Sequence, residues 1–176
     1  GYRVCVFDDL SRGNKDYLPD NVELIVGNIQ NNSDIEKVPN DINQIIHLAA
    51  YGSVVESLNN PVQNFKINVN GTINILEYAR NNDVEQLIFA STGGALIGDT
   101  PPPVDENSLP KPIAPYGASK LCGEAYCYSY GKVYNLNTKI LRFANIYGPF
   151  SGHKKGVVTN FFKCILKDKP MNLFGD

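Results

Sequence analysis

Hydrophobic positions along the chain fall into two kinds of run. Arg3-Val-Cys-Val-Phe-Asp8, Val22-Glu-Leu-Ile-Val26, Gln44-Ile-Ile-His-Leu-Ala-Ala50, Gln86-Leu-Ile-Phe-Ala90 and Lys139-Ile-Leu-Arg-Phe143 are short, β-branched and nearly continuous in hydrophobicity. Strands of a parallel sheet covered by helices on both faces have this pattern. Between these runs, Pro61 can open a helix at its first turn, where a missing N–H costs little. Phe65, Val69, Ile73, Leu76 and Ala79 then recur at helical spacing, and Asn81-Asn82-Asp83 ends the pattern. A second long helix is predicted over Pro115–Tyr134. The segment from Asp99 to Pro115 holds six of the 11 prolines and reads as a long exposed loop, a kind that is usually functional. No internal repeat or low-complexity tail interrupts the alternation. It predicts a doubly wound α/β fold with a parallel sheet.

In such sheets ligands bind beyond the carboxyl ends of the strands. Those ends read Asp8-Asp9, Gly27-Asn28, Ala49-Ala50, Ser91-Thr92 and Ala144-Asn145. The row of acidic, small and hydroxyl groups is what a dinucleotide site needs. A carboxylate at Asp8 can accept both hydroxyls of an adenosine ribose and would repel a 2′-phosphate, favouring NAD over NADP. Arg12 argues the other way, and Asp8 could instead cap a helix from Leu10 onward. Ala49-Ala50 would let backbone approach a pyrophosphate or nicotinamide ribose, which is compatible with tight helix–strand packing. Asn68 could touch a ligand or brace the sheet edge.

Tyr116 and Lys120, four residues apart on the second helix, share one face. An ammonium near a phenol favours the phenolate, and such a tyrosine can take a proton from a hydroxyl near neutral pH. Thr92 stands where a strand opens into Gly93-Gly94. Its hydroxyl could be shared between a substrate hydroxyl and the phenol. Ser91 could take that role instead, and plain turn formation is the simpler alternative. His47, inside an apolar strand, reads as a satisfied core histidine. Tyr126, Tyr128, Tyr130 and Tyr134 read as packing or surface residues.

Composition narrows the classes. The 176 residues make about one domain, with 43% hydrophobic and 19% charged residues, as in an ordinary soluble globular protein. A formal charge of −2, with no basic stripe beyond Lys154-Lys155, gives no reason to expect a nucleic-acid surface. No apolar run approaches membrane-spanning length. Cys5, Cys122, Cys127 and Cys164 form no C-x-x-C pair, and His47 and His153 are isolated. Reduced thiols in a cytoplasmic protein, without a metal site, are expected. Gly1 opens directly onto a strand-like run and Leu173–Asp176 reads as another strand and its turn, so the expectation is a partial sequence.

Taken in order, Asp8-Asp-Leu-Ser-Arg-Gly13, Gly27-Asn-Ile29, His47-Leu-Ala-Ala50, Asn68-Val-Asn-Gly-Thr72, Ser91-Thr92, Tyr116-Gly-Ala-Ser-Lys120 and Arg142-Phe-Ala-Asn-Ile-Tyr-Gly-Pro149 resemble the extended short-chain dehydrogenase/reductase family, in its NAD-dependent nucleotide-sugar epimerase/dehydratase branch. The resemblance spans nearly the whole chain and implies a Rossmann-like NAD-binding part over residues 1–150. Residues 151–176 would begin a nucleotide-sugar-binding part. It implies catalytic roles for Tyr116 as the base, Lys120 as the group that holds the nicotinamide ribose and lowers the tyrosine pKa, and Thr92 as the group that orients the substrate hydroxyl. It implies NAD contacts from Asp8, Asp9, Leu10, Ser11, Gly13, Asn28, Ile29, Leu48, Ala49, Ala50, Asn68, Tyr116 and Lys120. The substrate would meet Thr92, Tyr116, Asn145, Val157, Val158 and Phe174. The two long helices resemble those that form the family's four-helix homodimer interface.

The sequence departs from the family in three places. Asn28 replaces the usual Asp, though its carbonyl can still accept from an adenine amine. Ile97 replaces the tyrosine before Gly98, which would alter the sugar pocket. The family's glycine-rich turn would lie on a strand and helix preceding Gly1, with that strand between those ending at Asp8 and Ala50. These residues alone are therefore expected neither to bind NAD tightly nor to turn over. Dehydratases of the family carry carboxylates directly after the serine or threonine, where this chain has Gly93, Gly94 and Ala95. The resemblance thus implies epimerisation of a UDP-hexose, of the UDP-glucose/UDP-galactose kind, through a 4-keto sugar. A dehydratase or reductase on another nucleotide sugar and a non-catalytic dinucleotide-binding module are the alternatives.

Overall fold

The computed structural model describes residues 1–153 and 156–171. Five of the predicted strand runs form strands: β1 (Cys5–Asp8), β2 (Glu23–Val26), β3 (Gln44–His47), β4 (Gln86–Thr92) and β5 (Asn137–Phe143); the run expected at Leu173–Asp176 lies outside the described residues. β1 pairs in parallel with β2, while β3, β4 and β5 form a second parallel sheet in that order. No described pairing joins β1 to β3, the place where the resemblance sets one more strand. The prediction carried β3 on to Ala50, but its ladder stops at His47, opposite Phe89. β4 and β5 support each other over their full length, from Gln86↔Asn137 to Thr92↔Phe143, and so exceed their apolar runs.

Helices follow the predicted alternation. α1 (Asn32–Ile35) and α2 (Val54–Asn59) are short, and Ser53 caps α2 by accepting from Glu56 N at 3.2 Å. Pro61 stands at the first turn of α3 (Pro61–Phe65), which runs through a π segment (Lys66–Asn70) into α4 (Gly71–Asn81). The wider π turn carries Asn68; such bulges are frequent at functional sites. α5 (Gly94–Ile97) follows β4 directly, and α6 (Pro115–Tyr134) covers the predicted span. α7 (Val157–Leu166) belongs to the last part of the chain.

The core lies where α4 and α6 meet β4. Leu76, Ala79, Leu87, Phe89 and Cys127 are completely buried there. Along β4 the side chains alternate: Leu87, Phe89 and Ser91 are buried, whereas Ile88, Ala90 and Thr92 on the other face are only half-buried. α6 packs so closely on the inner face that a Cβ at Gly123 would collide with Phe89 Cζ. Its buried stripe, Gly117, Ser119, Lys120, Gly123, Glu124 and Cys127, is small and polar rather than apolar. The expectation of two covered sheet faces is not met within residues 1–143. Ile46 and Leu48 are about two-thirds exposed, and Leu141 and Phe143 are exposed as well.

The chain divides into two compact units, residues 1–143 and 144–176. The first unit closes where the chain leaves the sheet, as β5 ends at Phe143. The second unit carries α7 after a turn in which Ser151 Oγ donates to Gly148 O at 2.6 Å.

Candidate active site and dinucleotide cleft

β1 ends in two carboxylates, after which Leu10 turns the chain with a positive φ of 56°. Asp8 Oδ1 accepts from Leu10 N at 2.7 Å and Asp9 Oδ1 from Ser11 N at 2.9 Å. Both are side-chain turns, so Asp8 does not cap a helix. A cleft of about 220 Å³ opens here. Asp8, Asp9, Ser11 and Gly13 line it from the β1 turn, Asn28 and Ile29 from the end of β2, and Leu48, Ala49 and Ala50 from the end of β3. Leu10, Asn68, Tyr116 and Lys120, predicted for the same cofactor, are not among its lining. Phe7, Arg12, Gly27, Tyr51 and Ile67 complete the wall.

The lining suits an adenosine ribose. A Cβ at position 13 would sit 2.8 Å from Asp8 Oδ1, so Gly13 keeps that carboxylate clear. Asp8 Oδ2, unlike Oδ1, accepts no hydrogen bond from the described residues and can take a ribose hydroxyl. Asn28 behaves differently from expectation. Its Oδ1 accepts from Gln30 N at 2.9 Å and Gln30 Nε2 at 3.2 Å, while its Nδ2 donates to Asp9 Oδ2 at 3.2 Å. The carbonyl expected to meet an adenine amine is engaged within the chain. An aspartate here would set a second carboxylate against Asp9, which accounts for the amide.

Asn68 is a brace. Its Oδ1 accepts from Tyr51 N at 2.7 Å, and its Nδ2 donates to Ser119 Oγ at 2.9 Å. Ser119 Oγ donates in turn to Tyr116 O at 2.8 Å, and Tyr116 N donates to Ser57 Oγ at 3.1 Å. The cleft wall at Tyr51 and the start of α6 are thus tied by one buried polar chain, and each partner is satisfied.

Tyr116 and Lys120 lie one turn apart at the start of α6. That end of the helix adjoins the segment leaving β4, since a Cβ at Gly117 would collide with Ala95 O. The Lys120 side chain is buried, donates from Nζ to Ala90 O at 2.8 Å and lies 4.9 Å over the Phe89 ring. Burial lowers its pKa to about 8. Burial raises the Tyr116 pKa above its ordinary value. The expected depression of the phenol by Lys120 is not produced by this geometry, because the amine is turned to the β4 backbone and the phenol feels only desolvation.

Thr92 ends β4 on the face opposite Ser91. Ser91 Oγ donates to Glu124 Oε1 at 2.6 Å and is committed, whereas the Thr92 hydroxyl has no partner among the described residues. No hydrogen bond joins Thr92 to Tyr116 among the described residues. Asn145 is exposed in the second unit, where Val157 (exposed) and Val158 (half-buried) open α7. Phe174 lies outside the described residues. Ile97 is buried.

Two residues near this site were not singled out from the sequence as functional. Buried Glu124 accepts from Arg142 Nε at 3.0 Å and from Nη2 at 2.8 Å, and Arg142 Nη1 donates to Glu106 O at 2.9 Å. This ion pair joins α6, β5 and the proline-rich loop. Its signal was the spacing, since Glu124 is four residues beyond Lys120 on the same helix face. His47 is a satisfied core residue, 3.0 Å from Thr72 Oγ1 through Nε2. Thr72 Oγ1 donates to Asn68 O at 2.6 Å, so Nε2 carries the proton and donates to Thr72. Burial holds the His47 pKa down at about 3.

Among the described residues no cluster of His, Cys, Asp and Glu could hold a metal ion, and the four cysteines are free. No described helix is long and apolar enough to cross a membrane.

Comparison with known proteins identifies the family. A putative UDP-glucose 4-epimerase of Methanocaldococcus jannaschii is 40% identical over 179 residues, covering 99% of this chain and 59% of that protein. The crystal structure of Thermotoga maritima UDP-glucose 4-epimerase with UDP-glucose superposes with a TM-score of 0.92 at 34% identity, covering 100% of this chain and 59% of that one. The UDP-glucose 4-epimerase of Thermus thermophilus in complex with NAD gives 0.89 at 36% identity, covering 95% and 56%. The chain therefore spans less than three-fifths of the length of these relatives. The model of the NAD dependent epimerase/dehydratase family matches residues 1–176, and the chain belongs to that family.

Proposed function

We propose that the protein containing this chain interconverts the 4-epimers of a UDP-hexose through a 4-keto sugar, with NAD in the cleft described above. The observation that carries this reading is the pair Tyr116 and Lys120, one turn apart beside the carboxyl end of β4, with no proton-transferring side chain at Gly93, Gly94 or Ala95. Dehydration would need a second acid or base. The carboxylate further along the same helix, Glu124, is locked to Arg142 and Ser91 and cannot serve. The names of the relatives support the substrate class.

Asp8 and the turn to Gly13 would hold the adenosine ribose, with Ala49 and Ala50 along the opposite wall. NAD, when bound, supplies a hydride acceptor that can return the hydride. Tyr116 takes the proton of the sugar hydroxyl as its carbon is oxidised, and gives it back as the ketone is reduced. The phenol is protonated in the geometry seen here, and a positive charge beside it would favour its ionisation. Lys120, here bonded to Ala90 O, would supply that charge on turning toward the phenol. Thr92, with its hydroxyl uncommitted, would orient the substrate. Asn145, Val157, Val158 and Phe174 are assigned to the nucleotide side of the substrate. The exposed apolar residues Val62 and Phe65 on α3 and Tyr126 on α6 fit the four-helix homodimer contact. Free thiols fit a cytoplasmic setting.

The test is made on the full-length protein. Given UDP-galactose and no added cofactor, it should yield UDP-glucose. Tyr116→Phe should lower turnover by about a hundredfold or more, as removal of a general base does. Loss of water from the sugar, or net consumption of NAD(H), would point instead to a dehydratase or reductase. Unchanged turnover in the variant would remove Tyr116 from its role.

A further inference from the structure

We infer that Glu56, on α2, sets the choice between NAD and its 2′-phosphorylated form by holding Arg12 away from the adenosine ribose. The inference rests on the reading that the cleft at the ends of β1, β2 and β3 takes that ribose. Arg12 is the one cationic side chain in the lining of this cleft among the described residues. It leaves the same short turn that presents Asp8 and Asp9. A guanidinium is a planar fork suited to two phosphate oxygens at once. In the sequence, Asp8 argues against a 2′-phosphate and Arg12 argues for one.

The structure separates the two. Arg12 Nη2 pairs with Glu56 Oε2, and its guanidinium lies 5.2 Å over the Tyr51 ring. Both partners belong to the segment that follows β3, on the other side of the cleft from the β1 turn. That segment is held in place. Ser53 caps the first turn of α2 at Glu56 N, and Asn68 and Asn64 bind the Tyr51 backbone at 2.7 Å and 3.2 Å. Arg12 still lines the cleft, but its guanidinium is engaged by an anchored acid and an aromatic ring and is not free to take a phosphate beside Asp8.

The Arg12 and Glu56 side chains are about half exposed, so the pair is weak and competes with a phosphate on near-equal terms. Freeing Arg12 should then shift nucleotide preference by about two- to fivefold. It should not reverse the preference, because Asp8 remains.

The experiment titrates the full-length protein with 5′-AMP and with adenosine 2′,5′-bisphosphate, following the backbone amide NMR signals of Asp8 to Gly13. Glu56→Gln should tighten the bisphosphate relative to 5′-AMP by about two- to fivefold. Arg12→Gln added to that variant should abolish the gain, and Arg12→Gln alone should leave the wild-type ratio nearly unchanged. An unchanged ratio in Glu56→Gln, while 5′-AMP still moves these amides, overturns the inference. So does a gain that survives in the double variant, since it would be a general charge effect. If 5′-AMP leaves the amides of the wild-type full-length protein unmoved, the ribose reading of the cleft itself fails, and the inference with it.

Discussion

Lys120 illustrates a conflict between stability and chemistry in one side chain. Its ammonium is buried, and burial brings its pKa from 10.5 down to about 8. At neutral pH the folded chain therefore holds a charge that its surroundings disfavour. The folded pKa is depressed, so the penalty is absent above pH 10.5, grows as the pH falls toward 8 and is complete below that. The size is up to about 3 kcal/mol, offset by the hydrogen bond to Ala90 O and the contact with the Phe89 ring. Lys120→Met should stabilise the chain by about 1–2 kcal/mol at pH 7 and lose that advantage near pH 10.5, while the full-length enzyme loses activity. Denaturant unfolding at the two pH values decides it. A variant less stable than wild type at pH 7 would mean that the amine's partners outweigh its burial. Asn28 is a second case at this scale. Its amide bonds Asp9 and Gln30 together, where the family's aspartate would repel Asp9.

At the scale of elements, α6 shows what could and could not be read beforehand. Pro115 at its first turn and a proline-rich segment before it made Pro115–Tyr134 legible to the residue. Its inner face was not, since Gly117, Ser119, Lys120, Gly123 and Glu124 carry no hydrophobic period. That face is defined by what it meets: Phe89 against Gly123, and Arg142 against Glu124. Gly123→Ala should cost about 1–3 kcal/mol, because the added methyl must displace a fully buried ring. Trimming that ring in Gly123→Ala/Phe89→Leu should cost less than the two single changes added together, which thermal unfolding of the set would measure. Additive losses would place the origin of the cost in the helix backbone. The same distinction governs the other elements. Strands announced themselves as apolar runs, but β3 ends at His47 while its partner β4 runs on to Thr92 against β5, and the short helices α2 and α5 gave too few residues for a period. The cleft was legible because strand ends gather on one edge of a parallel sheet. The pairing of Arg12 with Glu56, and the chain from Asn68 through Ser119 to Tyr116, depend on tertiary approach and left no local trace.

At the scale of the whole molecule, the first unit draws its stability from one side of a divided sheet, with Ile46 and Leu48 on the other side largely in water. A core of that extent has little reserve, and one buried ionisation is large beside it. His47 is that group: it lies behind β3 against Phe89, donates to Thr72 and stays neutral down to a pKa of about 3. Unfolded, it takes a proton at its ordinary 6.5. Its folded pKa is depressed, so the stability it contributes is complete above pH 6.5 and is lost as the pH falls toward 3. Each pH unit in that window costs about 1.4 kcal/mol. The carboxylates with depressed pKa values, Asp34, Glu77 and Asp105, begin to lose their contributions only below their ordinary values of 3.8 to 4.5. Between pH 6.5 and 4.5, then, the slope among the described residues belongs chiefly to His47, and the chain should lose about 2 kcal/mol across it. His47→Gln keeps a donor for Thr72 without a titrating ring. Its denaturant midpoint should hold steady over the same two units while that of the wild-type chain falls. A wild-type midpoint that does not move between pH 6.5 and 4.5 would show that His47 accepts a proton without unfolding the core around it.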